Sequence, residues 1–343
     1  VARGGLRAGP ETLQVNLGNR CNTRCIFCWN HSPLRPAPGP EWLAQRMSDA
    51  HLENVIASLP ALRPGRLVLS GRGEPLLHPG ARALIGAACS EGIPVAIQTN
   101  GVAGLEPEEL VELGVDHLAV NVSAGTPGGY ERTHPGHGRH FAKVLGRLER
   151  IAQLRQAGAR PRVSLVAVIQ RSNAEELAHI VGLAHRVGAS SVELKGMELS
   201  AGLEPLALGA AERGQVALGL EEAGRVAREL GVDLRDGHLA QVLASRPGNG
   251  AFTEGLEHGP CYMGWYYLRV TCDGRVMFCC KDKLMGHLDA RGLYHTWRSP
   301  AYHLERLAAR DGDTSTGLLG PRCRACSNFE RNREIGAIVG SRS

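Results

Sequence analysis

No apolar run in this 343-residue chain approaches the roughly 18 residues that a membrane-spanning helix needs. The opening stretch, Val-Ala-Arg-Gly-Gly-Leu-Arg, is a basic stub with no apolar core and no small-residue cleavage site, so it does not read as a secretory signal. An excess of one charge is missing too: 39 basic residues face 34 acidic ones for a net +5, and no local stripe of Lys and Arg points to nucleic acid. Lysine is scarce, four of the 39, which fits a GC-rich genome and makes a lysine in a pocket conspicuous. There is no internal repeat and no low-complexity tract. With 43% apolar residues, 21% charged residues and a mean hydropathy of -0.16, the chain is neither disordered nor membrane-embedded by composition. We therefore expect a cytoplasmic protein without membrane or nucleic-acid partners, built as one large domain with or without an appendage. Cysteine is what the chain does have: ten of them, thiols if the protein is not secreted, and seven of the ten cluster.

Short β-branched and apolar runs alternate with amphipathic helical patterns from Thr12 to Leu194, the signature of repeated βα units on a parallel sheet. Six strands are expected: Thr12 to Leu17, Arg66 to Ser70, Val95 to Thr99, His117 to Val122, Val163 to Ile169 and Ser191 to Leu194. Ser48 should cap a helix carrying Leu52, Val55, Ile56 and Leu59, ended by Pro60 and Pro64. A second helix should run from Phe141 to Ala157 and close at Gly158, and Asn173 should cap a third, with Glu176 as its capping-box partner. A Gly- and Ala-rich helical stretch, Gly209 to Leu230, then leads to a loop-prone segment through Arg246 to Gly250. From Pro260 onward, Tyr266 to Thr271 and Val276 to Cys279 flank Asp273-Gly274, a hairpin signal, and a short helix near Ala301 to Ala309 precedes a final Cys pair. The expected units are residues 1–200, a bridge over 201–256, and a small module over 257–343.

Directly after the first strand comes Cys21-Asn-Thr-Arg-Cys25-Ile-Phe-Cys28, three thiols that converge on one site. Three ligands leave one iron of a four-iron cluster open, as catalytic metal sites require. A zinc knuckle is the bland alternative, with His31 as its fourth ligand. This segment resembles the radical S-adenosylmethionine (radical SAM) superfamily, whose hallmark is Cys-x3-Cys-x-aromatic-Cys, with Phe27 at the aromatic position. The resemblance covers about Thr12 to Leu194. It continues in Ser70-Gly71-Arg72-Gly73-Glu74-Pro75, similar to the family segment that holds the SAM amino group, and in Asn100, Ser123, and Tyr130-Glu-Arg-Thr-His134. Relatives often carry Arg near His134, so SAM carboxylate binding falls to Arg132 or Arg139 if His134 takes that place. The implied fold is α/β, a partial (β/α)6 TIM-like barrel with a small C-terminal β-hairpin plus helix module. All these positions lie at strand ends, where sites in parallel β/α folds gather.

Cys261, Gly274, Cys279, Cys323 and Cys326 follow a spacing similar to the twitch module, the shorter relative of the SPASM extension. It implies one auxiliary [4Fe-4S] cluster held by Cys261, Cys279, Cys323 and Cys326; structural zinc is the alternative, since four cysteines do not choose the metal. Cys89 and Cys272 read as packing. Cys280, next to a ligand and oppositely oriented, is a candidate hydrogen-atom donor to a substrate radical.

The resemblance implies reductive cleavage of SAM by a flavodoxin- or ferredoxin-type reductant and abstraction of hydrogen from a substrate C–H bond. Cys280 as donor would give epimerisation; a base, from Lys195 or Glu193, would give dehydrogenation, with Arg171 as a polar anchor. Only twenty residues precede Cys21, which favours a small carbohydrate-like substrate over a peptide. Peptide modification, an Fe-S electron carrier and a two-zinc binding module are the competing readings.

Overall fold

The computed structural model describes residues 9–155, 160–197, 199–244, 260–280, 283–321, 323, 326 and 328–340. The expected helix stop at Gly158, the loop through Arg246 to Gly250 and the boundary at 256/257 lie outside the described residues.

The strands are β1 (Thr12–Val15), β2 (Arg66–Leu69), β3 (Val95–Thr99), β4 (His117–Asn121), β5 (Arg162–Ile169), β6 (Ser191–Gly196), β7 (Asp233–Arg235), β8 (Tyr267–Val270), β9 (Arg275–Met277) and β10 (Leu284–His287). They form one sheet in the order β10-β9-β8-β1-β2-β3-β4-β5-β6-β7. From β1 to β7 every neighbouring pair is parallel, with helices in the crossovers, so the α/β partial barrel expected from the sequence is the fold found. Side-chain alternation explains why it curls around a chamber. Leu13, Val15, Leu67, Leu69, Ile97, Val120, Leu165 and Val192 are buried in the core, while the intervening Gln14, Val68, Ala96, Ala119 and Glu193 line an internal cavity.

Two elements extend the six expected strands. Short β7 pairs in parallel with β6, carried there by the helix Ala210–Leu230, which packs on the preceding helix Leu177–Arg186. On the other side the C-terminal module does not form a sheet of its own: β8 pairs in parallel with β1, and β9 and β10 continue antiparallel from it. The module is therefore zipped onto the strand from which the first cysteine loop springs.

Three local expectations need correction. Pro60 does not end its helix, which runs Asp49–Leu62 with Ser48 Oγ accepting from His51 N at 3.2 Å. A proline forfeits its own donor and crowds the preceding turn, yet the two residues after it keep helical geometry here, and the left-handed Arg63 closes the end. Asn173 is not a helix cap. Its amide donates to the carbonyls of Ser123 and Val168, both at 2.9 Å, tying the ends of β4 and β5 together. Glu176 makes no capping box; its buried carboxylate accepts from Gly125 N at 2.9 Å and from Thr126 Oγ1.

The C-terminal module is pinned by Arg306, which has no exposed surface. Its guanidinium lies 4.1 Å from the Trp297 ring centre and 4.0 Å from that of Tyr302, and donates to the carbonyls of Gly264 and Trp297. Gly264 must be glycine, since a Cβ there would come within 2.3 Å of Phe278. Asn332, on the last helix, ties it to the Cys261 segment by accepting from Tyr262 N and donating to Pro260 O.

Candidate active site

The first cysteine loop leaves the end of β1 and is held by groups from the next two strand ends. Thr23 Oγ1 lies 3.4 Å from Cys21 Sγ and 3.7 Å from Cys25 Sγ, so both sulfurs flank one hydroxyl, and His31 N donates to Cys28 Sγ at 3.4 Å. Asn100, just past β3, donates from Nδ2 to Asn22 Oδ1 at 2.7 Å and stands 3.7 Å from Cys21 Sγ. The thiols of Cys21 and Cys25 are pushed up, burial being the main cause. Thiols buried in this way ionise only beside a cationic centre. The Nε2 of His31 donates to the Arg72 carbonyl at 3.0 Å. Among the described residues no three His, Cys, Asp or Glu side chains close on a single ion.

The glycines of the second segment are there for close approach. A Cβ at Gly71 would fall 2.3 Å from Asn16 Oδ1, and one at Gly73 2.3 Å from the Arg20 carbonyl. The segment therefore lies against the base of the cysteine loop, with Glu74 N donating to Arg20 O at 2.9 Å. Glu74 itself does not reach the cavity. Its carboxylate accepts from Leu76 N, Thr99 Oγ1 and Asn100 N at 3.1, 2.8 and 2.8 Å, joining the second strand end to the third. Burial pushes this carboxyl up to about 7 against those hydrogen bonds. What the segment turns toward the cavity is Ser70, Gly71 and Arg72.

That cavity holds about 1290 Å³, and Trp29 and Asn30, directly after Cys28, are part of its lining. Lys195 and Glu193 line it and pair with each other at 3.3 Å. Cys280 and Asn328 close it from the C-terminal module. Tyr267, Arg269 and Trp42 also line it and were not singled out from the sequence. Arg269 carried a signal: it is the one charged residue in the otherwise apolar Tyr-Leu-Arg-Val strand, at an alternate position from buried Leu268.

The radical SAM superfamily profile matches residues 15–184, and the SPASM iron-sulfur cluster-binding domain profile matches residues 261–327. The chain belongs to the radical SAM superfamily. This radical SAM protein is similar to PqqA peptide cyclase of Xanthomonas campestris pv. campestris (strain B100), 26% identical over 79% of this chain and 67% of that one. It matches the PqqA peptide cyclase of Methylobacterium sp. (strain 4-46) at 28% identity over 54% of this chain and 46% of that one. In fold it resembles SuiB of Streptococcus suis bound to S-adenosylmethionine (TM-score 0.63, 13% identity, 93% and 71% of the two chains). It also resembles anSMEcpe with bound AdoMet (TM-score 0.60, 16% identity, 93% and 86%). A [4Fe-4S] cluster with SAM and an auxiliary iron-sulfur cluster come with this membership.

Around the radical SAM loop, the remaining sequence-derived contacts stand as follows. Phe27 packs edge-on to His134 (ring centres 5.7 Å apart), and His134 stacks on Tyr130 at 4.1 Å. His134 is buried, its Nε2 finds no hydrogen-bond partner, and burial lowers it to about 4, so the neutral ring backs the loop instead of facing the cavity. Ser123 is fully buried in left-handed backbone (φ 52°), its hydroxyl accepting from Val168 N at 3.0 Å and donating to Asn121. A serine held there is strained, as residues at functional sites often are. Two candidates point elsewhere. Arg132 is tied to Glu175, Glu176 and the Ser172 carbonyl, and Arg171 pairs with Glu212 at 3.1 Å. Neither they nor Arg139 line the cavity.

In the SPASM region, Cys323 and Cys326 sit on one turn, Cys326 N donating to Cys323 O at 3.2 Å. Burial first, then the charge of neighbouring thiols, pushes Cys261 and Cys326 up to about 12. The neighbours are Cys323 and Cys280 for Cys261, and Cys280, Cys261 and Cys323 for Cys326. Cys279, on the core side, adds its charge to burial in raising Tyr302, while Tyr267 is raised by burial, then by Cys280 and after it by Cys279. Cys272 is buried and donates to Asn19 Oδ1 at 3.6 Å, fastening the module to the radical SAM loop.

Proposed function

We propose that this radical SAM protein uses its barrel chamber to bring a C–H bond of a peptide side chain or backbone to SAM held beside the Cys21–Cys28 loop. The observation that carries the reading is the cavity itself. Its wall joins barrel strands to the second module and includes Trp29 and Asn30 directly after Cys28, and its volume exceeds the roughly 300 to 1,000 Å³ of a drug-sized site. A peptide is favoured over the carbohydrate-like substrate expected from the sequence because a relative matched over 79% of this chain acts, by its name, on the peptide PqqA.

Cys21, Cys25 and Cys28 would hold the first cluster, and Cys261, Cys279, Cys323 and Cys326 the auxiliary one. When bound, reduced cluster and SAM supply a carbon-centred radical that removes hydrogen from an unactivated C–H bond. The chain's own work is positioning and water exclusion, with Ser70 and Gly71 offering backbone groups to the SAM amino group and Phe27 fixing the loop. We place Cys280 as the donor. Its S–H bond breaks as a C–H bond forms on the opposite face of the substrate radical, which is epimerisation. One electron from a flavodoxin- or ferredoxin-type reductant and one proton from solvent then restore the thiol. The Lys195–Glu193 pair, which also lines the cavity, is the base in the alternative, dehydrogenation. A cytoplasmic setting suits this thiol chemistry.

The test is anaerobic incubation of the iron-loaded chain with SAM, dithionite and candidate peptides. 5'-Deoxyadenosine must form. In deuterated water, one deuterium at carbon in the product supports the thiol donor, loss of two mass units supports dehydrogenation, and no 5'-deoxyadenosine under any condition overturns the enzyme reading.

A further inference from the structure

Cys280 is held at two points by side chains that share the chamber wall with it. Arg269, on β8, donates from Nη1 to the Cys280 carbonyl at 3.4 Å and so holds the backbone just past β9. The sulfur is met by Asn328, whose Nδ2 donates to Cys280 Sγ at 3.8 Å, and all three residues line the cavity. Asn328 stands directly before the last helix, Phe329–Gly340. An asparagine in that place ordinarily turns its side-chain oxygen to the first backbone N–H groups of the helix. Here the side chain gives its amide nitrogen to a thiol 48 positions away in the chain. The place of Asn328 is itself set by packing. Its carbonyl accepts from Asn332 N at 3.0 Å, and buried Asn332 is locked in turn by Tyr262 N and the Pro260 carbonyl. The backbone N–H of Asn328 also reaches the Cys326 sulfur, so a role confined to the auxiliary cluster is the alternative that a test must separate.

We infer that Asn328 is the positioning residue for the Cys280 thiol: its amide N–H takes one sulfur lone pair and turns the S–H bond toward the chamber. There the hydrogen atom leaves sulfur as a C–H bond forms on the substrate radical. This deepens the reading of Cys280 as the hydrogen-atom donor and rests on it. A thiol is a weak donor and a weak acceptor, and its hydrogen turns about the Cβ–Sγ bond unless a neighbour fixes it. Orientation counts at this step because the hydrogen must leave along the line to the carbon, and a misplacement of about 1 Å costs a positioned reaction on the order of a hundredfold.

The test uses the full iron-loaded chain under anaerobic conditions, without substrate, and reads the S–H stretching band by infrared spectroscopy, in a region where other protein groups do not absorb. Subtracting the spectrum of Cys280→Ala isolates the band of the Cys280 thiol. Asn328→Leu and Asn328→Asp keep the size and branching of the side chain and remove its N–H donor, an ionised carboxylate being an acceptor only. Each should shift and broaden the Cys280 band while iron content stays the same, and Asn328→Gln, which carries the donor one methylene further out, should leave the band closer to its original position. An unmoved band in Asn328→Leu at full iron overturns the inference. So does loss of about four irons in both Asn328→Leu and Asn328→Asp, which would assign Asn328 to the auxiliary cluster. Should only one of the two lose iron, the other decides. The two readings fail differently: a Cys280 band that is present but indifferent to Asn328 removes the positioning role alone, whereas the absence of any Cys280 band means that this sulfur carries no hydrogen and overturns the donor reading together with the inference.

Discussion

Cys21, Cys25 and Cys28 belong to one short loop, and groups from three strand ends fix that loop before any metal arrives: Thr23 between two sulfurs, Asn100 on Cys21, and Glu74 bracing Asn100. The second cysteine group is spread from residue 261 to 326, and a hairpin, a buried arginine and a terminal helix bring that distant chain together. One site is local and preorganised by the barrel; the other is an outcome of tertiary packing. The contrast teaches that the first should survive damage to the second, while the second depends on everything that holds its module.

The largest expected effects break the comparison outright. Cys25→Ala should abolish 5'-deoxyadenosine formation and remove about four of the roughly eight irons of two four-iron clusters, leaving the auxiliary cluster's spectrum. Retention of SAM cleavage would refute the assignment. Replacing the adjacent cysteines separates their roles: Cys279→Ala should lose about four irons, and Cys280→Ala should keep all its iron while failing to deliver deuterium from solvent to product. Because Cys280 lies near Cys261 and Cys326, an iron loss in Cys280→Ala with full iron in Cys279→Ala would exchange the two assignments.

Next in size is Arg306→Ala. Removing a buried cation packed against both Trp297 and Tyr302 should cost about 3 kcal/mol, read as a lower urea midpoint. The auxiliary iron should go first, with the Cys21–Cys28 site still cleaving SAM; parallel loss of both would mean that the two regions are not independent.

The smallest effect concerns pH. Burial lowers His134 from 6.5 to about 4, so the folded state favours the neutral ring. Its contribution is present above the unfolded value and is lost as pH falls from 6.5 toward 4. His134→Phe should flatten the stability of the cluster-free chain over that window by on the order of 3 kcal/mol, measured by urea unfolding. An unchanged pH slope would remove His134 from the account.

Most of the barrel was legible because strands buried between helices write themselves as Val, Ile and Leu runs: Val95–Thr99 matches to the residue, and the other five within a few positions. β7, Asp-Leu-Arg, and β10, Leu-Met-Gly-His, carry no β-branched residue and escaped notice. The parallel pairing of β8 with β1 is a contact between residues some 255 positions apart, which no local pattern encodes. At the site, cysteine spacing was readable because metal ligation constrains it locally. Asn173 and Glu176 misled because a cap and a cross-loop bridge use the same residue types, and only packing decides which donors they meet. Arg132 and Arg171 were placed by proximity in sequence, but their guanidinium groups turn to acidic partners on neighbouring elements.

The most direct measurement is electron paramagnetic resonance of the reduced protein, with and without SAM, in two variants: Cys21, Cys25 and Cys28 all changed to Ala, and Cys261, Cys279, Cys323 and Cys326 all changed to Ala. The open, three-thiol site predicts that SAM shifts the signal remaining in the second variant and leaves that of the first unaltered. A SAM-sensitive signal in the first variant, or none in the second, would contradict the division of labour between the two cysteine groups.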